Sequence, residues 1–319
     1  MSRGAPAKGT LLAAAVISGS LLLGGCSASQ EQATSAEPSP VQEAAAIGTG
    51  HILWVSDLYE PVNDPDDHYD LAVSEAYENL APDMIVLDDH LKRQDGQAPA
   101  VQDLTQLLGR KSPPVVLDHD TKAQAAWLRD QPDGSVTVVS LGALTAVADL
   151  IKSAPKLTQS KVHEIVVVAG DAAPGAAVEY NVYQDPEAFL AVMTSGLAIR
   201  WVPAFDGGLW SAGTSSYTVT SDDELLTGTS PEVRAWFDRY ISERYGVRNL
   251  WAAGVLAKSL EGSHWEDQVV RFDDQGRVDK KGSNVAEVTT LVVDDRAQFE
   301  AAMIEATNEA LRSLAPAGE

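Results

Sequence analysis

Short apolar runs rich in β-branched residues recur along this chain, with helix-patterned stretches between them. That alternation restricts the fold more than any other feature of the sequence. The runs are His51 to Ser56, Met84 to Leu87, Pro114 to Leu117, Val136 to Leu141, Glu164 to Gly170 and Ala198 to Phe205. Each is short and continuous, so it reads as a strand buried on both faces rather than as a half-exposed strand or a long helix. Between them lie Tyr69 to Leu80, Val101 to Gly109, Ala143 to Ser153 and Asp185 to Gly196, with helical spacing of their apolar residues. Strands joined through helices make right-handed crossovers, which predicts an α/β, Rossmann-like domain with a mainly parallel sheet and helices on both faces. Further on, Pro231 to Gly246 reads as an amphipathic helix, two strand-like runs surround Val269 and Thr289, and a last helix runs from Arg296 to Leu314. No internal repeat and no second linker divides this stretch, so residues 48–319 are expected to form one domain.

The first 47 residues read differently. Arg3 and Lys8 precede an apolar, small-residue stretch from Leu11 to Leu23. That stretch falls short of the roughly 20 residues a spanning helix needs, and it fits the apolar region of a signal peptide. It ends in Leu23-Gly24-Gly25-Cys26, which resembles the lipobox of bacterial lipoproteins. Small residues before the cut admit a peptidase, and the thiol accepts a lipid. The expectation is a signal peptide over 1–25, lipid on Cys26, and a flexible polar linker over 26–47 that holds the domain outside the cell membrane. Cys26 is the only cysteine, so no disulfide within the chain can form.

Charge then narrows the partners. With 23 Lys and Arg against 46 Asp and Glu, the formal net charge is −23, and loss of Arg3 and Lys8 with the signal peptide makes it more negative still. Such a surface repels nucleic acid and anionic lipid, and it is compatible with a small-molecule or cation site.

In a sheet of this kind ligands bind outside the carboxyl ends of the strands. After the first strand come Asp57, Asp64, Asp66, Asp67, His68 and Asp70. Five aspartates in one loop repel one another unless a hard cation such as Ca²⁺ takes their oxygens; the plain alternative is an exposed acidic turn with Asp64 or Asp66 capping a helix. Asp88-Asp89-His90, Asp118-His119-Asp120, Leu141-Gly142-Ala143, Gly170-Asp171 with Glu179-Tyr180-Asn181, and Asp206-Gly207-Gly208 follow the later strands. Acidic and amide groups at strand end after strand end describe one polar crevice suited to a cation or a polyol. His68 is either a site residue or a neutraliser of its aspartate neighbours. His90 and His119 either line the crevice or are structural. His264 sits in the polar stretch SLEGSHWED, and Trp210, Trp251 and Trp265 are candidates to stack on a base or sugar.

The segment VTVVSLGALTAVADLIKSAPKL, followed by HEIVVVAGDAAPGAAVEYNVYQDPEAFLAVMTSGLAIRWVPAF, resembles the middle of the inosine/uridine-preferring nucleoside hydrolases. LGALTAVA is similar to that family's Gly-Pro-Leu-Thr-Asn turn, and VEYNVYQDPEA to its Glu-Phe-Asn element with Asp-Pro-Glu-Ala, the most specific match in the chain. The resemblance extends over about His51 to Leu314 and is thinnest after Asp206. It implies a single α/β domain that cleaves the N-glycosidic bond of ribonucleosides, with a Ca²⁺ holding the ribose hydroxyls and a water that an Asp activates. Carried over, Glu179 and Asn181 bind ribose, the carbonyl of Leu141 is a metal ligand, and Asp89 stands where the family has a substrate-binding Asn. Asp57, Asp64 and Asp70 are the candidates for water activation, and Asp57, Asp64, Asp66, Asp67 and Asp70 for the metal. The family's opening Asp-Thr-Asp-Pro-Gly-x-Asp-Asp is replaced by SDLYEPVNDPDDHYDLA, so no single Asp can be assigned to one role. Its later His-Asp pair, leaving-group acid and metal ligand, is matched by Arg248-Asn249-Leu250-Trp251; Asn249 keeps an oxygen to offer substrate or metal but no charge, and no acid is adjacent.

Two functions remain open at this level. One is a tethered hydrolase of nucleosides or related ribosides. The other is a catalytically degenerate lipoprotein that binds a nucleoside or sugar. For the anchor, Cys26→Ala is expected to leave the protein unprocessed or to release it from the membrane fraction, read by fractionation and immunoblot. Normal maturation with membrane retention would remove the lipid assignment.

Overall fold

The computed structural model describes residues 50–58, 65–88, 98–207, 217–219, 222–241, 248–250, 252 and 260–318. Residues 1–49, which include the expected signal peptide, Cys26 and linker, lie outside the described residues, as do Asp64, Asp89, His90, Trp210 and Trp251.

Six parallel strands carry the sheet: β1 (His51–Ser56), β2 (Met84–Leu87), β3 (Val115–Leu117), β4 (Val136–Ser140), β5 (Val162–Val168) and β6 (Ile199–Val202). A long antiparallel hairpin, β9 (Ser263–Phe272) and β10 (Asn284–Val293), completes eight strands in the order β3-β2-β1-β4-β5-β6-β10-β9, with β10 parallel to β6. A separate pair, β7 (Tyr217–Val219) and β8 (Arg248–Leu250), runs antiparallel.

The central strands are buried along both faces, as their unbroken apolar runs require. Two cores result. One contains Trp54, Tyr69, Leu71, Val101, Leu104, Val233, Phe237, Phe299 and Met303. These belong to β1, α1 (Asp66–Ala76), α2 (Pro99–Leu107), α9 (Pro231–Tyr240) and α10 (Arg296–Ser313). The other contains Leu128, Val147, Leu150, Phe189, Val192 and Trp201. These come from α3 (Thr121–Asp130), α4 (Thr145–Ser153), α7 (Pro186–Met193) and β6. Helices therefore cover both faces, as the strand–helix alternation predicts. Among the described residues no helix is long and apolar enough to cross a membrane.

Among the described residues four helices escape a reading of the sequence: α3, α5 (Pro155–Lys161), α6 (Tyr180–Gln184) and α8 (Asp222–Leu226). In α3 only Gln124 and Leu128 are buried, so no apolar stripe marks it. The other three are short, too short to show a period. The first helix also begins earlier than its apolar pattern, at Asp66. Its N-cap is Pro65, with no side-chain capping bond, so Asp66 is not the cap that the acidic-turn alternative supposed. Polar residues at its start disguise it, because the fold buries Asp67, His68 and Asp70 there.

Candidate active site

The chain leaves β1 in two directions: to β2 and β3 on one side, and to β4, β5 and β6 on the other. The exits of β1 and β4 thus form the switch point at which open α/β sheets bind ligands. Asp67, Asp88, Leu141 and Asn181 gather there or reach it from neighbouring turns.

Asp67 fixes the exit of β1. Its carboxylate Oδ2 accepts from Ser56 Oγ, from the Asp57 N–H at 2.8 Å and from the Leu58 N–H at 3.3 Å. Leu58 sits at φ +39, a conformation that L-residues seldom adopt, and the carboxylate holds it there. Asp67 and Asp70 are both buried, on the first turns of α1, and Asp57 stands at the end of the strand. At the exit of β2 Asp88 is buried, and the expected Asp89 beside it lies outside the described residues. A Cβ on Gly142 would stand only 3.0 Å from Asp88 Oδ2. Since β2 and β4 flank β1, that carboxylate spans the end of β1, and the glycine after β4 makes room for it. Gly142, small and placed at a strand exit, was the available sign.

On the far side, Asn181 donates its amide Nδ2 to the carbonyl of Leu141 at 3.2 Å. Thr145 Oγ1, in the same turn as Leu141, donates to Asp185 at 2.9 Å, while Asp185 also caps α7 through the Ala188 N–H. The LGALT and EYNVYQDPEA segments are therefore latched at two points. Glu179 is buried, and its carboxylate accepts from the N–H groups of Gly170 at 2.9 Å, Asn181 at 2.9 Å and Val182 at 3.3 Å, capping α6. Burial raises its pKa, and those backbone donors pull it back down. Past β5 and β6, Asp171 accepts from the Ala173 and Gly207 N–H groups, and Asp206 is raised by burial first and by the charge of Asp171 second.

Among the described residues, no three Asp, Glu, His or Cys side chains come together as a metal-holding group. Asp57, Asp66, Asp67 and Asp70 alone do not make up the expected set, and Asp64 lies outside the described residues. Asn249 lies in β8, the partner of β7.

The histidines fall elsewhere. His68 faces the core, 6.2 Å from the rings of both Trp236 and Tyr240, and burial lowers its pKa to about 3. It is uncharged at neutral pH, so it does not neutralise the neighbouring aspartates. His264 belongs to strand β9, not to a polar loop, and its Nδ1 lies 2.7 Å from Asp294 Oδ2. His119 is exposed beside Asp118 at the end of edge strand β3. Trp265 lies under the Arg200 guanidinium at 4.9 Å, on the same hairpin as His264.

Residues 77–242 match the family described as inosine-uridine preferring nucleoside hydrolase. The chain belongs to this family. That match begins beyond the acidic loop and ends before Asn249, so it covers the latch and neither of the diverged elements. A pyrimidine-specific ribonucleoside hydrolase, RihA, from Salmonella newport is 41% identical over 78 residues, 24% of each chain. An uncharacterized protein of Schizosaccharomyces pombe is 29% identical over 127 residues, 38% of this chain and 40% of that one. The chain thus matches less than half the length of these relatives. In fold it is similar to an inosine-guanosine nucleoside hydrolase (TM-score 0.56, 14% identity, 83% of this chain and 99% of that one). A plant nucleoside hydrolase is alike as well (TM-score 0.55, 15% identity, 81% and 99%). These family members share the single α/β domain.

The burial of His68 yields a pH test. Its folded pKa is depressed below 6.5, so the stability it permits is complete above pH 6.5 and falls as pH drops toward 3. From this group alone, the unfolding free energy should drop by about 2 kcal/mol between about pH 7 and pH 5. Denaturant melts of the protein and of His68→Phe at the two values check this. The variant should lose that share of the pH dependence; parallel profiles would refute it.

Proposed function

We propose that this protein hydrolyses the N-glycosidic bond of nucleosides or related ribosides, held outside the cell membrane by lipid on Cys26. The observation that carries this reading is the contact of Asn181 with the Leu141 carbonyl at the switch point, inside the span that matches the family. It brings the Glu179-Tyr180-Asn181 element to the mouth of β4, where a sugar's hydroxyls would meet amide, carbonyl and carboxylate groups together. Cleavage breaks the bond between the anomeric carbon and the base nitrogen and leaves an oxocarbenium-like sugar; water adds to that carbon, and the base takes a proton. Hydrogen bonds that the sugar hydroxyls make with Asn181 and donate to the Glu179 carboxylate accelerate this only as far as they strengthen in that state.

The family is metal-dependent. Here a Ca²⁺ is proposed with Asp57, Asp64, Asp66, Asp67 and Asp70 as candidate ligands, together with the Leu141 carbonyl. Two of these already have other work: Asp67 anchors the exit of β1, and Leu141 accepts from Asn181. Asp57, Asp64 and Asp70 are the candidates to activate the water, while Asp89 and Asn249 are candidates to touch substrate. A second reading, a nucleoside- or sugar-binding lipoprotein, is favoured by the same engagement of Glu179, whose carboxylate already accepts three backbone N–H groups.

The deciding assay offers the purified protein nitrophenyl riboside and inosine and measures released sugar. No acid stands beside Asn249 in sequence, and general acids contribute roughly 10²- to 10⁴-fold, so the nitrophenyl compound, whose leaving group needs no proton, should be cleaved faster. Asn181→Ala should lower kcat/KM by about tenfold or more, the worth of one hydrogen bond to the sugar. If neither compound is cleaved while ribose raises the melting temperature, the binding reading replaces the hydrolase. For the cation, a Ca²⁺ excess of about a hundredfold over Kd should stabilise the fold by about 2.7 kcal/mol. Melting curves identical with Ca²⁺ and with chelator would exclude it.

A further inference from the structure

Strand β9 ends the sheet, and hydrogen bonds on its two flanks fix which way its backbone points. The Gly262 carbonyl accepts from Asp294 and Asp295 on the β10 side. Phe272, an even number of residues further, pairs with Asn284 of β10. The odd-numbered residues therefore aim their N–H and C=O groups away from the sheet. The Arg271 carbonyl confirms the parity: it accepts from the Asp279 N–H at 2.9 Å, and Asp273 donates to Arg277 at 2.9 Å. The chain thus folds back over the outer edge of β9 at 271–273 and stops there. The outward backbone groups of Trp265, Asp267 and Val269 have no partner among the described residues.

This open stretch separates two grooves. One, of about 410 Å³, is lined by Glu164, Arg200, Asp267, Val269, Glu287 and Thr289. Arg200 is paired with Glu164 at 3.1 Å, which leaves Asp267 and Glu287 to give the groove its negative charge. The other, of about 380 Å³, lies on the opposite face, where the apolar Ala172, Pro174, Trp201, Val270 and Val278 share the lining with Arg271, Asp279 and Lys280. Between them Val269 is 65% exposed, although it sits in the middle of a strand.

We infer that the 265–269 edge of β9 takes an extended peptide as a ninth strand, with basic side chains entering the acidic groove and apolar ones entering the groove over Trp201 and Val270. Backbone pairing to the open N–H and C=O groups supplies the affinity, and side chains that alternate between two faces read two unlike grooves. Charge selects the peptide, because lysine or arginine opposite Asp267 and Glu287 meets two carboxylates that have no ion pair among the described residues. A second copy of β9 fits worse. Antiparallel pairing centred on Val269 would collide with the return at 277–279, and pairing centred on Asp267 would set two aspartates face to face.

The test uses the full chain and a capped, dye-labelled peptide of alternating lysine and valine at about 0.15 M ionic strength. Binding is followed by anisotropy, and hydrogen exchange locates it. The peptide should bind and protect the amides of Trp265, Asp267 and Val269. The same peptide with N-methylated backbone keeps its charge and should bind about tenfold or more weakly, since it cannot pair. Val269→Pro removes one outward N–H at an edge that tolerates proline, and Glu287→Lys reverses a charge in the groove. Each should weaken binding about tenfold with riboside cleavage unchanged, and Glu287→Lys decides alone if the proline variant misfolds. Equal binding of the N-methylated peptide, or protection elsewhere on the acidic surface, overturns the inference. So does a doubling of mass when the protein alone is concentrated, with these amides protected, because the edge then belongs to a second copy.

Discussion

A buried carboxylate organises the ligand end of this molecule. Glu179 sits where charge is disfavoured by burial, and backbone N–H groups from Gly170, Asn181 and Val182 compensate it. The consequence is positional. Gly170 is the exit of β5, and Asn181 and Val182 open α6, so one side chain joins the end of a central strand to the start of a helix. From there Asn181 reaches the Leu141 carbonyl, and Asp185 caps α7 while holding Thr145. Without the cap at Glu179, neither contact would keep its place relative to the sheet.

The other side of the switch point uses the same device. Asp67 gathers Ser56, Asp57 and Leu58 around one oxygen and so ties the first turn of α1 to the end of β1. Carboxylates that look on paper like free metal ligands here act in part as backbone anchors. Divergence of the family's acidic motif is accordingly concentrated in a stretch where at least one aspartate has a clear architectural role. The far edge of the sheet is built on the opposite plan. Natural sheets cover their edges, and β9 is covered by its own return at 271–273 but has no backbone partner among the described residues from Trp265 to Val269.

Much of the fold was legible because its period is strong. Buried strands such as Leu53 to Val55 and Val138 to Val139 appear as unbroken apolar runs, and α4 and α10 begin and end within two residues of their expected bounds. The segments around Leu141 and Glu179 were legible through motif spacing. Helix α3 was not, since its buried face is one amide and one leucine. Nor was the role of His68, whose polar neighbours suggested a site while its ring lies among Trp236 and Tyr240. Sequence adjacency reports chain neighbours, whereas burial depends on which helix arrives on the other side.

By itself the sequence determined the class of fold, the single domain and the family elements at Leu141 to Thr145 and Glu179 to Ala188. Hydrophobic period and short motifs are local properties, written within a few residues. Only the tertiary structure decided that Asp88 crosses the end of β1 toward Gly142, that Asp67 anchors the exit of that strand, and that His264 belongs to the hairpin at the far edge. Each of these depends on register and crossing between elements distant in the chain. Contacts of that kind arise from the packing of the two cores, and no local pattern encodes them.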